Sequence, residues 1–234
     1  MASIHQSQNM LLAALPSADF ELLRPNLQTI DMSRGLVLVS GGDIPKRAYF
    51  PHSGVIASCV TLVDGSVIET RITGRDGALG AAVGAGERPS FTSAVVRLGG
   101  TASTIDYRSL YACIDRSAAL RWQLAKHEAF QQAMADQSIA CNTVHDAEAR
   151  LARRLLRLRK MSDETKLPVT QEVLAEMLGI HRNAVSHVAH IMREASVIRY
   201  SRGVVEIVDL EALHRLSCEC YDAVTAYRGI VVDD

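Results

Sequence analysis

Arg182, Asn183, Ser186 and His187 carry the most specific chemistry in the sequence. Arg182 can present two parallel N–H groups to guanine, and Asn183 can pair its amide with adenine. Each such bidentate contact discriminates between bases by about 1 to 3 kcal/mol. Ser186 and His187 fall on the same side of a helical projection, so the four side chains form one polar set suited to reading base edges. The alternative is an ordinary helical hairpin whose polar residues merely face water.

A second group of reactive side chains lies near the C-terminus. The chain has five cysteines, at 59, 113, 141, 218 and 220, an odd and scattered set that is no disulfide framework. His214, Cys218 and Cys220 make an H-x3-C-x-C pattern able to ligate a metal or sense oxidants. Two ordinary helix-face thiols are the plainer reading, and no cofactor is expected. Cys141 reads as a buried free thiol. His187 and His190 also have ligand spacing, but Arg182 and Asn183 beside them favour DNA for His187. No nucleophile elbow, phosphate loop or H-E-x-x-H is present, so an enzyme is not expected.

Positioning the polar set requires two short helices and a tight turn. Thr170 can cap the first helix, with Gln171 and Glu172 in its first turn, and Leu174 and Leu178 give it an apolar face. Gly179 can take the positive φ of a sharp turn. Val185, Val188, Ala189 and Met192 then repeat at the spacing of one buried helical face, leaving His181, Arg182, Asn183, Ser186 and His187 outward. This is the pattern of a helix-turn-helix.

The 234 residues suffice for two modest domains. Residues 9–23 suggest two short helices around Pro16. Short strands follow at 36–39, 55–63, 67–73 and 94–98, with Asp64-Gly65 and Asp76-Gly77 as hairpin signals. They predict an antiparallel jelly roll of about 100 residues. From Asp115 to Val144 no Gly or Pro intervenes, and Leu120, Leu124, Phe130, Met134, Ile139 and Ala140 form a stripe that predicts a long dimerisation helix. A core helix packed on its own barrel is the competing reading. A hinge at 142–146 precedes a helix lined by Leu151, Leu155, Leu156 and Leu158. The expected fold class is α+β, divided into an effector domain at 1–114, a dimerisation helix and hinge at 115–145, and a DNA-binding domain with a helical tail at 146–234.

The formal net charge is −1, yet basic residues crowd the last third: Arg150, Arg153, Arg154, Arg157, Arg159, Lys160, Lys166, Arg182, Arg193, Arg199 and Arg202. A local basic face is enough for phosphate contact. No apolar run approaches the roughly 20 residues that span a bilayer, so no membrane partner is expected. Residues 1–15 lack a secretory signal, and a cytoplasmic address is expected.

The order of these parts, together with Leu151-Ala152, Leu155-Leu156, the helix-turn-helix and a wing hairpin at 197–208, resembles the cyclic-AMP receptor protein and fumarate-nitrate regulator (CRP/FNR) family of bacterial transcription factors. The resemblance implies a cyclic-nucleotide-binding-like jelly roll, a long dimerisation helix and a C-terminal winged helix-turn-helix. It implies a homodimer on double-stranded DNA with a two-fold symmetric site, RNA polymerase as a further partner, and a small-molecule effector of unknown identity. Arg182, Asn183 and His187 match base-reading positions, where Asn183 and His187 depart from the cyclic-AMP receptor. Thr170, Gln171, His181 and Arg202 are the corresponding phosphate contacts. The family's nucleotide pocket uses an acidic residue and an arginine. The matching stretches here, Gly80-Ala81-Ala82 and Thr92-Ser93-Ala94, lack both, so cyclic-AMP binding is not expected; Glu87 and Arg88 in the intervening loop are the possible substitutes. No cysteine precedes Cys59, which argues against the N-terminal iron-sulfur cluster of some members. A redox- or metal-responsive regulator using the C-terminal cysteines, or a ligand-binding regulatory subunit that does not touch DNA, remain the alternatives.

Overall fold

The structure, a computed structural model, describes residues 7–82 and 85–231. Two short helices open it, α1 (Met10–Ala13) and α2 (Ser17–Leu23). The first is capped by Asn9, whose side chain accepts from Leu12 N. Seven strands follow: β1 (Gln28–Met32), β2 (Val37–Val39), β3 (Arg47–Pro51), β4 (Val55–Thr61), β5 (Val67–Thr73), β6 (Ser93–Leu98) and β7 (Gly100–Asp106). They make two antiparallel sheets, ordered β1-β7-β3 and β2-β6-β4-β5. Met32, Ile56, Ala94, Val96 and Ala102 are buried together between them, as the alternation of a two-layer sandwich requires.

Asp64-Gly65 is a hairpin turn: Gly65 has φ +85°, and β4 pairs with β5 on either side of it. Asp76-Gly77 is not. After β5 the chain leaves the sheet, and the Asp76 carboxylate is buried against Arg157 and Arg228. Gly77 closes a tight turn, its N–H donating to Gly74 O at 3.1 Å, and a Cβ there would lie 2.5 Å from the His127 ring, so this glycine serves close packing rather than a hairpin.

The long helical stretch is broken. Helix α3 (Tyr107–Arg116) ends at Ser117, which has extended backbone angles and caps the next helix by accepting from Leu120 N. Helix α4 (Ala118–Val144) carries the rest. The stripe expected to meet a partner faces inward at its N-terminal half: Leu120 and Leu124 join a core with α1, α2 and α3, and Phe130 is buried under Arg157. Ile139 and Ala140 are exposed, so they do not continue that buried face.

His145 ends α4, and Asp146 caps α5 (Ala147–Ser162) by accepting from Ala149 N. Then come β8 (Lys166–Leu167), α6 (Gln171–Leu178), α7 (Arg182–Glu194), β9 (Ile198–Ser201) and β10 (Val204–Ile207). The three strands form one small sheet in the order β8-β10-β9. Helices α8 (Leu210–Leu216) and α9 (Cys220–Val231) close the described chain, with α9 packed along α4.

The two halves share a core. Val55, Ala57, Ile72 and Leu98 of the sandwich belong to one buried cluster with Leu151, Leu155, Met161, Leu174 and Met177 of the C-terminal part. A Cβ on Gly74 would sit 2.8 Å from Met161 Cβ, so the sandwich approaches α5 as closely as a bare backbone allows. Buried charges bridge the same contact. Glu69 lies 3.4 Å from Arg97 and 3.3 Å from Arg154, and Arg97 also pairs with Glu176 of α6.

Candidate nucleic-acid interface

Thr170 caps α6, its Oγ1 accepting from Val173 N at 3.3 Å, and satisfies one of the orphan donors of the first turn. Gly179, at φ +61°, ends α6 in the left-handed conformation. That residue type makes the turn possible without Cβ strain. His181 is the first residue outside α7 and makes no side-chain cap. Val185, Val188, Ala189 and Met192 are buried, while His181, Arg182, Asn183 and His187 are exposed and Ser186 is half-buried. Among the described residues the outer face of α7 is therefore polar and accessible over its first two turns.

Two of these side chains have partners within the chain. Arg182 pairs with Glu172 of α6 at 2.8 Å, with both side chains more than half exposed. Water and salt screen such a pair, so it holds Arg182 weakly. The Ser186 hydroxyl donates to Gln171 Oε1 at 2.8 Å, joining the two helices across their crossing. Of the four residues expected at phosphate, Thr170 and Gln171 thus use their side chains inside the motif. His181 and Arg202 are exposed.

Arg202 sits at the wing tip. It has φ +50° and Gly203 has φ +76°, the pair of positive angles that a two-residue hairpin turn requires between β9 and β10. A Cβ on Gly203 would lie 3.3 Å from Thr170 Cγ2, which places the wing tip beside the cap of α6.

The basic face read from the sequence is largely turned inward. Arg154 reaches Glu69, Arg157 reaches Asp76 at 3.3 Å, and Arg150 donates to the Leu178 carbonyl. Arg153 donates to Ser138 Oγ. Arg154 and Arg157, three apart on α5, thus face the sandwich, each drawn in by a buried carboxylate. Lys166, Arg182, Arg193, Arg199 and Arg202 are the exposed cations of the series. Burial pushes the Glu69 carboxyl up, and nearby Arg154 and Arg97 offset this only in part. For Asp76 burial also pushes upward, but Arg157 and Arg228 outweigh it and hold the carboxyl below its usual range.

The stretches expected to form a degenerate effector pocket come together in the sandwich. Gly80, Ala82, Thr92 and Ala94 line a cavity of about 370 Å³. Ala81 is instead packed in the core, and Ser93 Oγ accepts from Gly41 N at 2.9 Å. Arg47, Arg71 and Arg88 also line this cavity. Cationic charge absent from the two short stretches therefore arrives from β3, β5 and the loop before β6. Glu128 of α4 supplies a carboxylate there. No local sequence pattern signals this convergence.

The H-x3-C-x-C pattern is not the set that the fold assembles. His214 is exposed and pairs with Asp222 at 2.9 Å. Cys218 and Cys220 instead meet Cys141 and His145, with the four ligand atoms within 4.8 Å of one another. The signal overlooked in the sequence was C-x3-H at the end of the long helix, where Cys141 and His145 are one turn apart.

Comparison with known proteins gives the same architecture. Residues 149–216 match the family described as Crp-like helix-turn-helix domain. A CRP-family transcriptional regulator from Thermus thermophilus superposes with a TM-score of 0.67 at 21% identity, covering 80% of this chain and 96% of that one. FixK2 from Bradyrhizobium japonicum gives 0.71 at 13% identity, covering 82% and 98%. The c-di-GMP-responsive global regulator CLP of Xanthomonas campestris gives 0.66 at 14% identity, covering 82% and 99%. No curated protein sequence matches the chain. A jelly-roll sandwich, a long connecting helix and residues 149–216 together give this chain a Crp-like helix-turn-helix domain within the fold of the CRP/FNR transcriptional regulators, the family its sequence resembles.

Proposed function

We propose that the protein is a homodimeric, sequence-specific DNA-binding transcriptional regulator that acts on DNA as a binder, not as an enzyme, and works in the cytoplasm. The observation that carries this reading is the outer face of α7. Arg182, Asn183 and His187 are exposed on a helix whose opposite face is locked into the domain. Such a helix can enter a major groove without unfolding anything. His181 and Arg202 are the proposed phosphate contacts. Thr170 and Gln171 serve chiefly to hold the motif's shape and can offer phosphate only the first backbone N–H groups of α6.

The second protomer has a surface to use. Trp122, Ala125, Ala129, Gln132, Asp136, Ile139 and Thr143 are all exposed on α4 and advance by alternating steps of three and four, the period of a coiled-coil seam. The proposed seam is therefore the face opposite Leu120 and Leu124. Two recognition helices related by a two-fold axis would address half-sites about one helical turn apart, with RNA polymerase as the further partner of the bound dimer.

The effector is read as something other than cyclic AMP, because Gly80–Ala82 and Thr92–Ala94 supply neither the carboxylate nor the guanidinium of a cyclic-nucleotide pocket, and the charged groups that do line the cavity, Arg47, Arg71, Arg88 and Glu128, stand on other elements. Micromolar cyclic-AMP binding by calorimetry would overturn this part. Selection from random duplexes followed by gel shift tests the rest. The expected result is a two-fold symmetric site bound as a dimer; a ligand-binding subunit that does not touch DNA would enrich no sequence.

A further inference from the structure

We propose that Cys141, His145, Cys218 and Cys220 form a closed tetrahedral site for a thiophilic divalent cation of the zinc class. The cation would fasten the joint between α4 and α5 to the joint between α8 and α9. Cys141 Sγ lies 3.5 Å from Cys218 Sγ, Cys220 Sγ lies 3.7 Å from His145 Nδ1, and all four atoms fall within 4.8 Å of one another. With zinc–sulfur bonds of about 2.3 Å and zinc–nitrogen bonds of about 2.0 to 2.1 Å, the edges of a tetrahedron of three sulfurs and one nitrogen are roughly 3.5 to 3.8 Å. Two observed separations already match, and the others, none above 4.8 Å, need a contraction of about 1 Å at most. A polynuclear iron-sulfur core sits between its cysteines and needs a wider cradle, so a single ion fits better.

Three cysteines and one histidine are a complete structural zinc set that leaves no open position for catalysis. The thiols are buried and form their own cluster apart from the three apolar cores, with Ala149 packed against it. They come from chain segments 77 positions apart.

The groups around the site are those that aim and support metal ligands. His145 Nε2 lies 3.2 Å from Glu219 Oε1, which turns the other ring nitrogen, Nδ1, toward the sulfurs. A carboxylate behind a ligating histidine is the usual outer partner of such a ligand. Gln137 Nε2 donates to Cys220 Sγ at 3.0 Å and stabilises charge on that sulfur. Binding one dication displaces three thiol protons and leaves a net charge of −1 on the ion with its three thiolates. Arg154 shares a cavity wall with Cys220 and, close to Cys141, offsets part of that charge. A disulfide between Cys141 and Cys218 would use two of the three sulfurs and give no role to the orientation of His145.

The test uses the full chain, stripped with chelator under reducing conditions and titrated with Co²⁺ and then Zn²⁺. The expected result is one ion per chain, a cobalt spectrum with thiolate charge-transfer and tetrahedral ligand-field bands, and displacement by zinc. Cys220→Ser and His145→Ala should each abolish or shift that spectrum, and Glu219→Ala should weaken affinity roughly 10- to 100-fold. Cys59→Ser, Cys113→Ser and His214→Asn should leave it unchanged. The wild-type spectrum carries the test alone if a ligand variant misfolds. No stoichiometric cobalt uptake by the reduced protein, or uptake that depends on His214 and not His145, overturns the proposal. A regulatory consequence rests on the DNA-binding reading: removing the ion should change operator affinity several-fold by loosening the joint. The cobalt spectrum is read without DNA, so the metal site and the regulator reading fail separately.

Discussion

Arg182 shows what a single side chain can be asked to decide. Its guanidinium rests against Glu172, an exposed pairing that base contact can replace at little cost. Arg182→Ala is expected to weaken specific binding by about 1 to 3 kcal/mol and to relax choice at one base pair. Competition gel shifts against operator and random duplex check this, and equal loss on both would remove the base-reading role. Arg202 is expected to behave differently. Its replacement by Ala should leave base preference alone and reduce the slope of log affinity against log salt by about 1. Arg150→Ala should not change that slope, because its guanidinium donates to the Leu178 carbonyl instead of facing solvent; its cost appears in thermal unfolding. The types of these residues were legible in the sequence. Which cations stay exposed was not, because Arg154 and Arg157 of α5 are drawn inward by Glu69 and Asp76, which lie 85 and 81 positions away in the chain.

At the scale of the element, the turn and the seam make separate demands. Gly179 holds φ +61°, where an L side chain costs about 1 to 2 kcal/mol. Gly179→Ala should lose about that much in urea unfolding and reduce specific DNA binding by a comparable factor. For α4 the decisive face is the exposed one. Ala129→Glu puts a charge at the middle of the proposed seam and should convert the dimer to monomer in sedimentation analysis while leaving the helical signal intact; an unchanged dimer would move the interface elsewhere. The apolar period in the sequence located this helix but not its orientation. Leu120 and Leu124 are as hydrophobic as any coiled-coil position, and only the sandwich packed beside them shows that they are its core. Ser117 likewise gave no strong break signal, yet its hydroxyl caps α4.

At the scale of the whole molecule, buried charge bridges the contact between the two halves beside the apolar core they share. Asp76 meets Arg157 and Arg228 at 3.3 and 2.8 Å, all nearly inaccessible to solvent. Asp76→Asn strips a buried counter-charge from two arginines and is expected to cost about 3 to 5 kcal/mol of stability. The pH dependence follows from the sign of the shift. The folded carboxyl is held below its ordinary value of 3.8, so its contribution is complete above that value and is lost as pH falls through and below it. Glu69 runs the other way: its carboxyl is held above 4.5 by burial, so the folded state gains from its protonation and loses that gain as pH rises past 4.5. Unfolding followed between neutral pH and pH 3 should show a steeper acid loss in the native chain than in Asp76→Asn. Parallel curves would contradict the assignment.

The sequence by itself determined the local chemistry: the Gly179 turn, the Thr170 cap, the amphipathic faces of α5 and α7, and the polar set on the outer face of α7. Those properties depend on neighbours within a few positions, where helical period and turn geometry act directly. Tertiary structure alone decided which face of α4 is core, why Asp76 is buried, and that Cys141 and His145 meet Cys218 and Cys220. Burial and ion pairing depend on surfaces brought together from distant parts of the chain, and no spacing along the sequence records them.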